Sequence, residues 1–175
     1  MRRIVYYIAM SIDGYISGPE NDVSKFIYSG SGVEKYQSDL QHFDTIIMGR
    51  NTYEIGYQFG LKPGQPAYPQ MEHYIFSSTL KFSDQHEKVK VVQPDYSAID
   101  QLKQSNGTDI YLCGGGQFAG WLLDGGYIDE LRIKLNPIVL GGGASLFGES
   151  TCSVKFELIK SESFEHGMQI LTYVK

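Results

Sequence analysis

The sequence has few cysteines, few basic residues and no long apolar run. Its two cysteines, Cys113 and Cys152, have no histidine or second cysteine at zinc-site spacing, and two are too few for a disulfide framework. The 15 Lys and Arg residues are scattered and are outnumbered by 20 Asp and Glu, so the net charge is −5. Binding to a phosphate backbone needs clustered basic residues, and a membrane span needs about 20 apolar ones. The composition therefore argues against a metal site, a nucleic-acid partner and a membrane protein.

The N-terminus does not have the pattern of a secretory signal. The segment MRRIVYYIAMSIDG is basic and then apolar, but polar residues interrupt the run and no small-residue cleavage site follows. We therefore expect a cytoplasmic protein whose first strand runs from Ile4 to Met10, before the turn pair Asp13-Gly14. A chain of 175 residues can bury one sizeable core, so a single domain over residues 1–175 is expected.

Strand-like and helix-like segments alternate along most of the chain. Apolar residues recur at helical spacing in VEKYQSDLQHF, SAIDQLKQS and GQFAGWLLDGG, whereas TIIMG, HYIFSS, KVKVVQ and DIYLC have the composition of strands. Asn51 and Glu54 are spaced as a capping box, which predicts the start of a helix. The segment IDELRIKLNPIVLGGG is predicted as one long alternating strand. This alternation predicts an α/β fold with a mainly parallel central sheet covered by helices on both faces.

The C-terminal part of the chain has a different pattern. Two β-type runs in KFELIKSESFEHGMQILTYVK are separated by the turn residues EHG, which predicts an antiparallel hairpin. One face of the preceding strand carries Leu131, Ile133 and Leu135. The opposite face carries Arg132 and Lys134, so only one face needs to be buried within a monomer. The last β-type run has apolar residues on both faces, and an isologous contact between such strands predicts a homodimer.

Three consecutive glycines, Gly114, Gly115 and Gly116, separate the strand DIYLC from the helical pattern that follows. Free N–H groups at a helix N-terminus attract anions, so a phosphate is the expected guest, and a tight connection with nothing bound is the alternative. The run GGGQFA formally fits the dinucleotide fingerprint G-x-G-x-x-G/A. However, it lies late in the chain, and Asp129 and Glu130 open the next strand instead of closing it. Phosphate binding is therefore predicted without a Rossmann fold.

Two further segments follow strand ends and carry phosphate-binding residue types. In IIMGRNTYE, Gly49 allows close backbone approach and Arg50 offers a bidentate fork, although a surface salt bridge is the alternative for this arginine. In FSSTLK, three hydroxyl residues precede Lys81 and are equally suited to a helix cap or a turn. Together, the glycine run and these two segments predict several phosphate contacts for one extended ligand.

Five motifs in this order resemble the dihydrofolate reductase-like superfamily, in particular its branch related to the C-terminal reductase domain of bacterial riboflavin biosynthesis proteins. They are AMSIDGYIS, MGRNTYE, SSTL, CGGGQFAGWLL and IDELRIKLNPIVLGGGASLF, and they span nearly the whole chain. The resemblance implies a three-layer dihydrofolate reductase-like fold and a homodimer. It also implies an NADPH-dependent reductase that transfers hydride to a small pteridine- or pyrimidine-like substrate.

The resemblance also implies which residues hold the cofactor. Those expected beside its phosphates are Gly49, Arg50, Asn51 and Thr52, and those lining the site of the adenosine 2′-phosphate are Ser77, Ser78 and Thr79. The glycines 114–116 are expected to cradle the pyrophosphate and nicotinamide side, with Gln117 and Phe118 opening the helix above them. The segment over the nicotinamide and substrate is expected to contain Ala9, Ile12 and the loop 13–17.

Hydride delivery to a C=N or C=O group requires a proton on the adjacent heteroatom. Asp13 is the candidate donor, although Asp-Gly is also a favoured turn dipeptide, and Glu34 on the first helix is the alternative acid. Tyr15, Tyr36 and Tyr57 are candidates for stacking on a flat heterocycle.

The sequence also departs from its relatives. The Trp-Pro signature and helix acid of folate reductases are missing from NDVSKFIYSGSGVEKY, and Cys113 stands where riboflavin-pathway reductases tend to carry an acidic residue. The alternative function is therefore a non-catalytic nucleotide-binding module that keeps the dinucleotide cradle.

Overall fold

The computed structural model describes residues 1–175 and contains ten strands and four α-helices. The strands are β1 (Ile4–Met10), β2 (Tyr15–Ser17), β3 (Thr45–Gly49), β4 (Glu72–Phe76), β5 (Val89–Val92), β6 (Ile110–Gly114), β7 (Glu130–Leu135), β8 (Ala144–Ser145), β9 (Glu157–Ser163) and β10 (Gln169–Val174). The helices are α1 (Ser31–Leu40), α2 (Arg50–Ile55), α3 (Tyr96–Gln104) and α4 (Gly116–Asp124). Short 3-10 helices lie at Pro19–Asn21, Gly56–Phe59 and Glu165–Gly167.

Eight strands form one sheet in the order β5-β4-β3-β6-β1-β7-β10-β9. The six strands from β5 to β7 in this order are parallel, and β10 and β9 join them antiparallel. The remaining strands, β2 and β8, form a separate antiparallel pair. The predicted parallel sheet and C-terminal hairpin are therefore confirmed. Because β1, β3, β4 and β6 are parallel, their carboxyl ends meet along one edge, which is where open α/β sheets bind ligands.

The core has two halves, one on each face of the sheet. Alternate residues of β1 point to opposite faces: Tyr6 belongs to the half that α3 and α4 cover, and Tyr7 to the half that α1 and α2 cover. Both tyrosines are fully buried. The central strands are thus covered on both faces, as in parallel sheets generally, and the predicted three-layer architecture is confirmed.

Three local predictions differ from the structure. Helix α2 begins at Arg50 with Gly49 as its N-cap, and Glu54 accepts an ion pair from Arg50 at 2.8 Å, so there is no capping box. The long strand predicted over IDELRIKLNPIVLGGG ends at Leu135, two residues before Pro137, whose nitrogen carries no hydrogen. Lys134 is only 9% exposed, because its side chain packs over the Tyr36 ring of α1, so the basic face is covered there as well.

No helix of the structure is long and apolar enough to cross a membrane.

A fully buried histidine, His73 in β4, anchors the loop that precedes it. Its Nε2 accepts a hydrogen bond from the Tyr68 N–H at 3.2 Å, and its Nδ1 donates to the Met71 carbonyl oxygen at 3.0 Å. Both ring nitrogens are therefore used by the neutral imidazole. Burial lowers the pKa of His73 to about 4, because a second ring proton would be desolvated and would face the Tyr68 N–H.

Acid should destabilise the protein through His73. From the ordinary pKa of 6.5 down to about 4, the unfolded chain binds a proton that the folded chain does not, so the free energy of unfolding falls as the pH falls. The full loss is about 3 kcal/mol, and it is complete only below the folded-state pKa. Urea unfolding at a series of pH values measures it. His73→Gln should flatten this part of the profile, whereas His42→Gln, at an exposed histidine, should not, and parallel profiles for all three proteins would contradict the assignment.

Candidate cofactor and substrate site

A cavity of about 1030 Å³ opens at the carboxyl ends of the parallel strands. Its walls include Ala9 at the end of β1, Gly49 at the end of β3, Phe76 at the end of β4 and Cys113 near the end of β6. Most of its lining is apolar, with a few polar side chains and backbone groups at the two ends. This size and composition are those of a site for a large organic ligand or for two ligands side by side.

One end of the cavity is formed by the first residues of α4, and we call it the phosphate end. Gly115 is the N-cap of α4 and, as a glycine, offers no side chain to the first N–H groups of the helix. These groups have no partner within the helix, and the helix dipole adds positive potential there. Gly116, Gln117 and Phe118 line the same part of the wall. The structure thus joins the glycine run and the helix start at one anion-attracting surface.

Two of the three glycines of this junction are required by the fold, for different reasons. Gly114 has φ = +122°, a conformation that favours glycine. A Cβ on Gly116 would overlap the carbonyl oxygen of Ser145 and approach the Gly148 nitrogen to 3.0 Å, so the neighbouring loop, not a bound ligand, excludes a side chain there. This corrects the expectation that a dinucleotide alone explains the glycine run.

Gly115 is the one glycine of the run whose side-chain space belongs to the cavity. A Cβ there would meet only the Thr52 hydroxyl, at 3.0 Å, and both residues line the cavity wall. The backbone of Gly115 is in the extended region, at φ = −85°, which other residues adopt freely. A side chain at this position would therefore occupy ligand space without a clash against backbone.

Arg50 lies at the rim of the phosphate end with two protein partners. Its Nε donates to Glu54 and its Nη1 donates to the Thr79 hydroxyl at 3.0 Å, while Nη2 has no protein partner. Asn51 and Thr52 line the cavity beside it. The salt bridge considered from the sequence is thus present, and it leaves part of the guanidinium directed to a ligand or to water.

The three hydroxyl residues after β4 lie outside the cavity wall and are used in different ways. Ser77 is buried, and its hydroxyl accepts hydrogen bonds from the N–H groups of Thr79 and Leu80, at 3.2 and 3.0 Å, so it stabilises a turn. Ser78 and Thr79 are exposed. Only Thr79 is joined to the cavity rim, through its bond with Arg50.

Asp13 does not line the cavity. Its carboxylate accepts hydrogen bonds from the Ser11 hydroxyl and from the N–H groups of Leu140 and Gly141, at 2.6, 3.0 and 2.7 Å. These bonds, of which the one from Ser11 is strongest, lower the pKa of Asp13 to about 2. A carboxylate that stays ionised and is bound to a distant loop is a structural group, so Asp13 is not retained as the proton donor.

Only some of the other residues expected around the substrate line the cavity. Ala9 lines the cavity, whereas Ile12 is 59% exposed and lies outside it, as do Tyr15 and Tyr57. The alternative acid, Glu34, points to solvent on α1 and is not part of the wall. Among the loop residues 13–17, only Ile16 and Ser17 contribute to the lining.

Another part of the cavity wall, which we call the phenol end, carries a cluster that sequence reasoning largely missed. The hydroxyls of Tyr36 and Tyr111 are 2.7 Å apart, and the ring of Tyr68 lies edge-on to that of Tyr111. Cys113 and Lys134 line the same end. Burial raises the pKa of all three tyrosines and of the Cys113 thiol, so these groups remain protonated near neutral pH. No set of three or more His, Cys, Asp or Glu residues is grouped to hold a metal ion.

Comparison with known proteins gives a consistent family. Residues 2–170 match the family described as the RibD C-terminal domain. The uncharacterized protein YwjB of Bacillus subtilis strain 168 is 33% identical over 178 residues, which cover 99% of this chain and 98% of YwjB. A crystal structure of a protein provisionally assigned to riboflavin biosynthesis, from Shewanella sp. PV-4, has a TM-score of 0.82 and 29% identity, covering 99% and 98% of the two chains. Dihydrofolate reductase from Enterococcus faecalis, complexed with NADP(H), shares the fold, with a TM-score of 0.70 and 17% identity over 98% and 95% of the chains.

The unequal roles of the glycines give a matched pair of variants. Gly115→Val should fold, because only the Thr52 hydroxyl must shift, but it should bind NADPH at least about tenfold more weakly, which corresponds to 1.4 kcal/mol of lost binding energy. Gly116→Val should lose more than about 3 kcal/mol of stability, because its side chain meets backbone. Thermal unfolding and fluorescence titration with NADPH separate the two effects. Normal NADPH affinity in folded Gly115→Val would show that this wall is not a cofactor surface.

Proposed function

Because this chain belongs to the RibD C-terminal domain family, we propose that it is an NADPH-dependent reductase that transfers hydride to a small pteridine- or pyrimidine-like ring. The observation that carries the proposal is the two-ended cavity. One end has helix N–H groups and an arginine for phosphates, and the other has buried hydroxyls for a polar ring. The reductase-type fold shared with dihydrofolate reductase supports the same assignment.

At the phosphate end, different residues of this chain would bind different parts of NADPH. The N–H groups at the start of α4 would bind the pyrophosphate, and the absence of a side chain on Gly115 leaves room for it. Arg50 and Thr79 would bind the 2′-phosphate, since the guanidinium keeps Nη2 free to donate a charge-assisted hydrogen bond to a phosphate oxygen. Phe118 stacks on Phe76 at 4.9 Å and forms an apolar wall between these groups.

The nicotinamide, when bound, supplies the hydride, and the protein supplies orientation and a proton. The apolar walls around Ala9 and Ile16 would exclude water from the reacting ring. Proton-bearing atoms at the phenol end are the Oη atoms of Tyr36, Tyr68 and Tyr111 and the Nζ of Lys134. The proton that completes the reduction would come from one of these atoms, because no carboxylate lines the cavity beside them.

We also propose that the protein acts as a cytoplasmic homodimer. The outermost strand β9 carries Leu158 and Ile159, which are 50% and 56% exposed. The last strand, β10, lies inside the sheet between β7 and β9, so it could meet a second copy only through a face and not through an edge. The free edge and its two apolar side chains therefore make β9 the segment that a second copy would cover.

The proposed reductase should bind NADPH more tightly than NADH and oxidise it with a suitable ring substrate. Arg50→Ala should weaken NADPH binding about 10- to 100-fold, the value of one charged hydrogen-bonding group, and should leave NADH affinity nearly unchanged. Fluorescence titration with both cofactors measures the preference. Steady oxidation of NADPH, followed by absorbance across a panel of pterins and aminopyrimidines, tests the reaction.

Two outcomes would contradict parts of this prediction. Equal dissociation constants for NADPH and NADH in the unchanged protein would remove the 2′-phosphate site at Arg50. Tight NADPH binding without oxidation by any compound of the panel would favour the non-catalytic nucleotide-binding module. Ser38→Ala serves as the control for the titrations, because Ser38 is exposed on α1 and does not line the cavity.

Light scattering at micromolar concentration tests the dimer. The expected mass is near twice the single-chain value of 19.7 kDa. Replacing Leu158 and Ile159 together by Lys should shift the mass to one chain, because two charges would then be buried at the contact. A single-chain mass for the unchanged protein would refute the homodimer.

A further inference from the structure

Lys134 is a buried lysine with no ionic partner. It lies in β7, where it pairs in register with Ala9 of β1 and Ile170 of β10, and it is only 9% exposed. Its Nζ takes part in no hydrogen bond and no ion pair, and it lies 4.6 Å from the centre of the Tyr36 ring. Its side chain lines the cavity. The ammonium therefore makes a cation–π contact with Tyr36 but has no counter-ion, and it faces the cavity, where a ligand can supply one.

The charged groups on the elements around Lys134 are engaged elsewhere. On its own strand, Arg132 is paired with Glu130 at 2.5 Å. On α1, Asp39 accepts from Lys35 at 2.5 Å. On β9, the carboxylate of Glu162 pairs with Lys160 at 2.9 Å. Burial therefore lowers the pKa of Lys134 without any carboxylate to offset it.

The groups beside Lys134 in the cavity are hydrogen-bond donors. They are the hydroxyls of Tyr36, Tyr68 and Tyr111 and the Cys113 thiol, all of which burial keeps protonated. The one carboxylate in the cavity lining, Glu149, follows Gly148, which lies against the start of α4 at the phosphate end. The phenol end thus combines a positive charge with hydroxyl donors and has no negative charge.

We propose that Lys134 binds an anionic ring oxygen of the substrate and thereby selects its chemical class. The substrate of the proposed reductase is then a planar heterocycle with a negatively charged oxygen, such as a deprotonated imide, an enolate or a ring carboxylate. A ring that presents a protonated amidine is excluded, because its positive charge would face the Lys134 ammonium in a water-poor cavity. This inference rests on the proposed function and adds the specificity-determining residue to it.

Two small probes of opposite charge test the proposal. The barbiturate anion presents ionised and carbonyl oxygens on a flat pyrimidine ring, and 2,4-diaminopyrimidine presents an amidine on a ring of the same size. Isothermal titration should show that the unchanged protein binds barbiturate more tightly than diaminopyrimidine. Lys134→Met should weaken barbiturate binding about 10- to 100-fold, the value of a hydrogen bond to a charged group, and Lys134→Arg should retain part of it.

The controls separate this site from the cofactor site and from folding. Lys155→Met removes an exposed lysine that takes part in no ion pair and should leave barbiturate binding unchanged. Lys134→Met should raise the melting temperature, because it removes a buried charge that has no ion-pair partner, and it should leave NADPH affinity unchanged. The proposal is overturned if diaminopyrimidine binds as tightly as barbiturate, or if Lys134→Met binds barbiturate normally. If the unchanged protein binds barbiturate but does not bind NADPH, the result counts against the reductase and not against the Lys134 site.

Discussion

The backbone contact between the start of α4 and the loop 145–148 is the constraint on which the rest of the site depends. The contact is possible because Gly116 and Gly120 have no side chains: a Cβ on either would overlap a carbonyl oxygen of this loop. The loop continues from the small sheet of β2 and β8. A Cβ on Gly143 would likewise overlap the carbonyl oxygen of Ser17. One side of the cavity is therefore built from segments distant in sequence that are held against α4 by backbone packing.

Asp13 belongs to the same construction. Its carboxylate receives N–H groups from Leu140 and Gly141, and so joins the turn after β1 to the segment that leads into β8. Such charge-assisted hydrogen bonds to backbone are stronger than neutral ones. The motif AMSIDGYIS is thus used by the fold to fix the wall of the cavity, and the residues of it that face the ligand space are Ala9, Ile16 and Ser17.

The sequence allowed the sheet to be predicted better than the site. Strand periodicity, the helix after the glycine run and the final hairpin depend on neighbouring residues, and these predictions are confirmed. The neighbour of Gly116 is Ser145, far along the chain, and no local pattern indicates that contact. The same limit applies to Lys134: the period of two placed it on an outer face, but β7 lies between β1 and β10 and its basic face is covered. Which residue lies opposite another depends on strand order, which periodicity does not contain.

Two buried basic side chains that make no ion pair, His73 and Lys134, affect stability in different ways. His73 is kept neutral by two hydrogen bonds, and through the Tyr68 N–H it fixes the start of the segment that carries a phenol into the cavity. Lys134 has a cation–π contact with Tyr36 but no hydrogen bond and no ion pair. Local departures from folding rules concentrate at functional sites, because a group that the fold leaves unsatisfied is available to a ligand. By this reasoning the phenol end is where the fold leaves a charged group available to a ligand, whereas the glycines beside the loop 145–148 are required by packing.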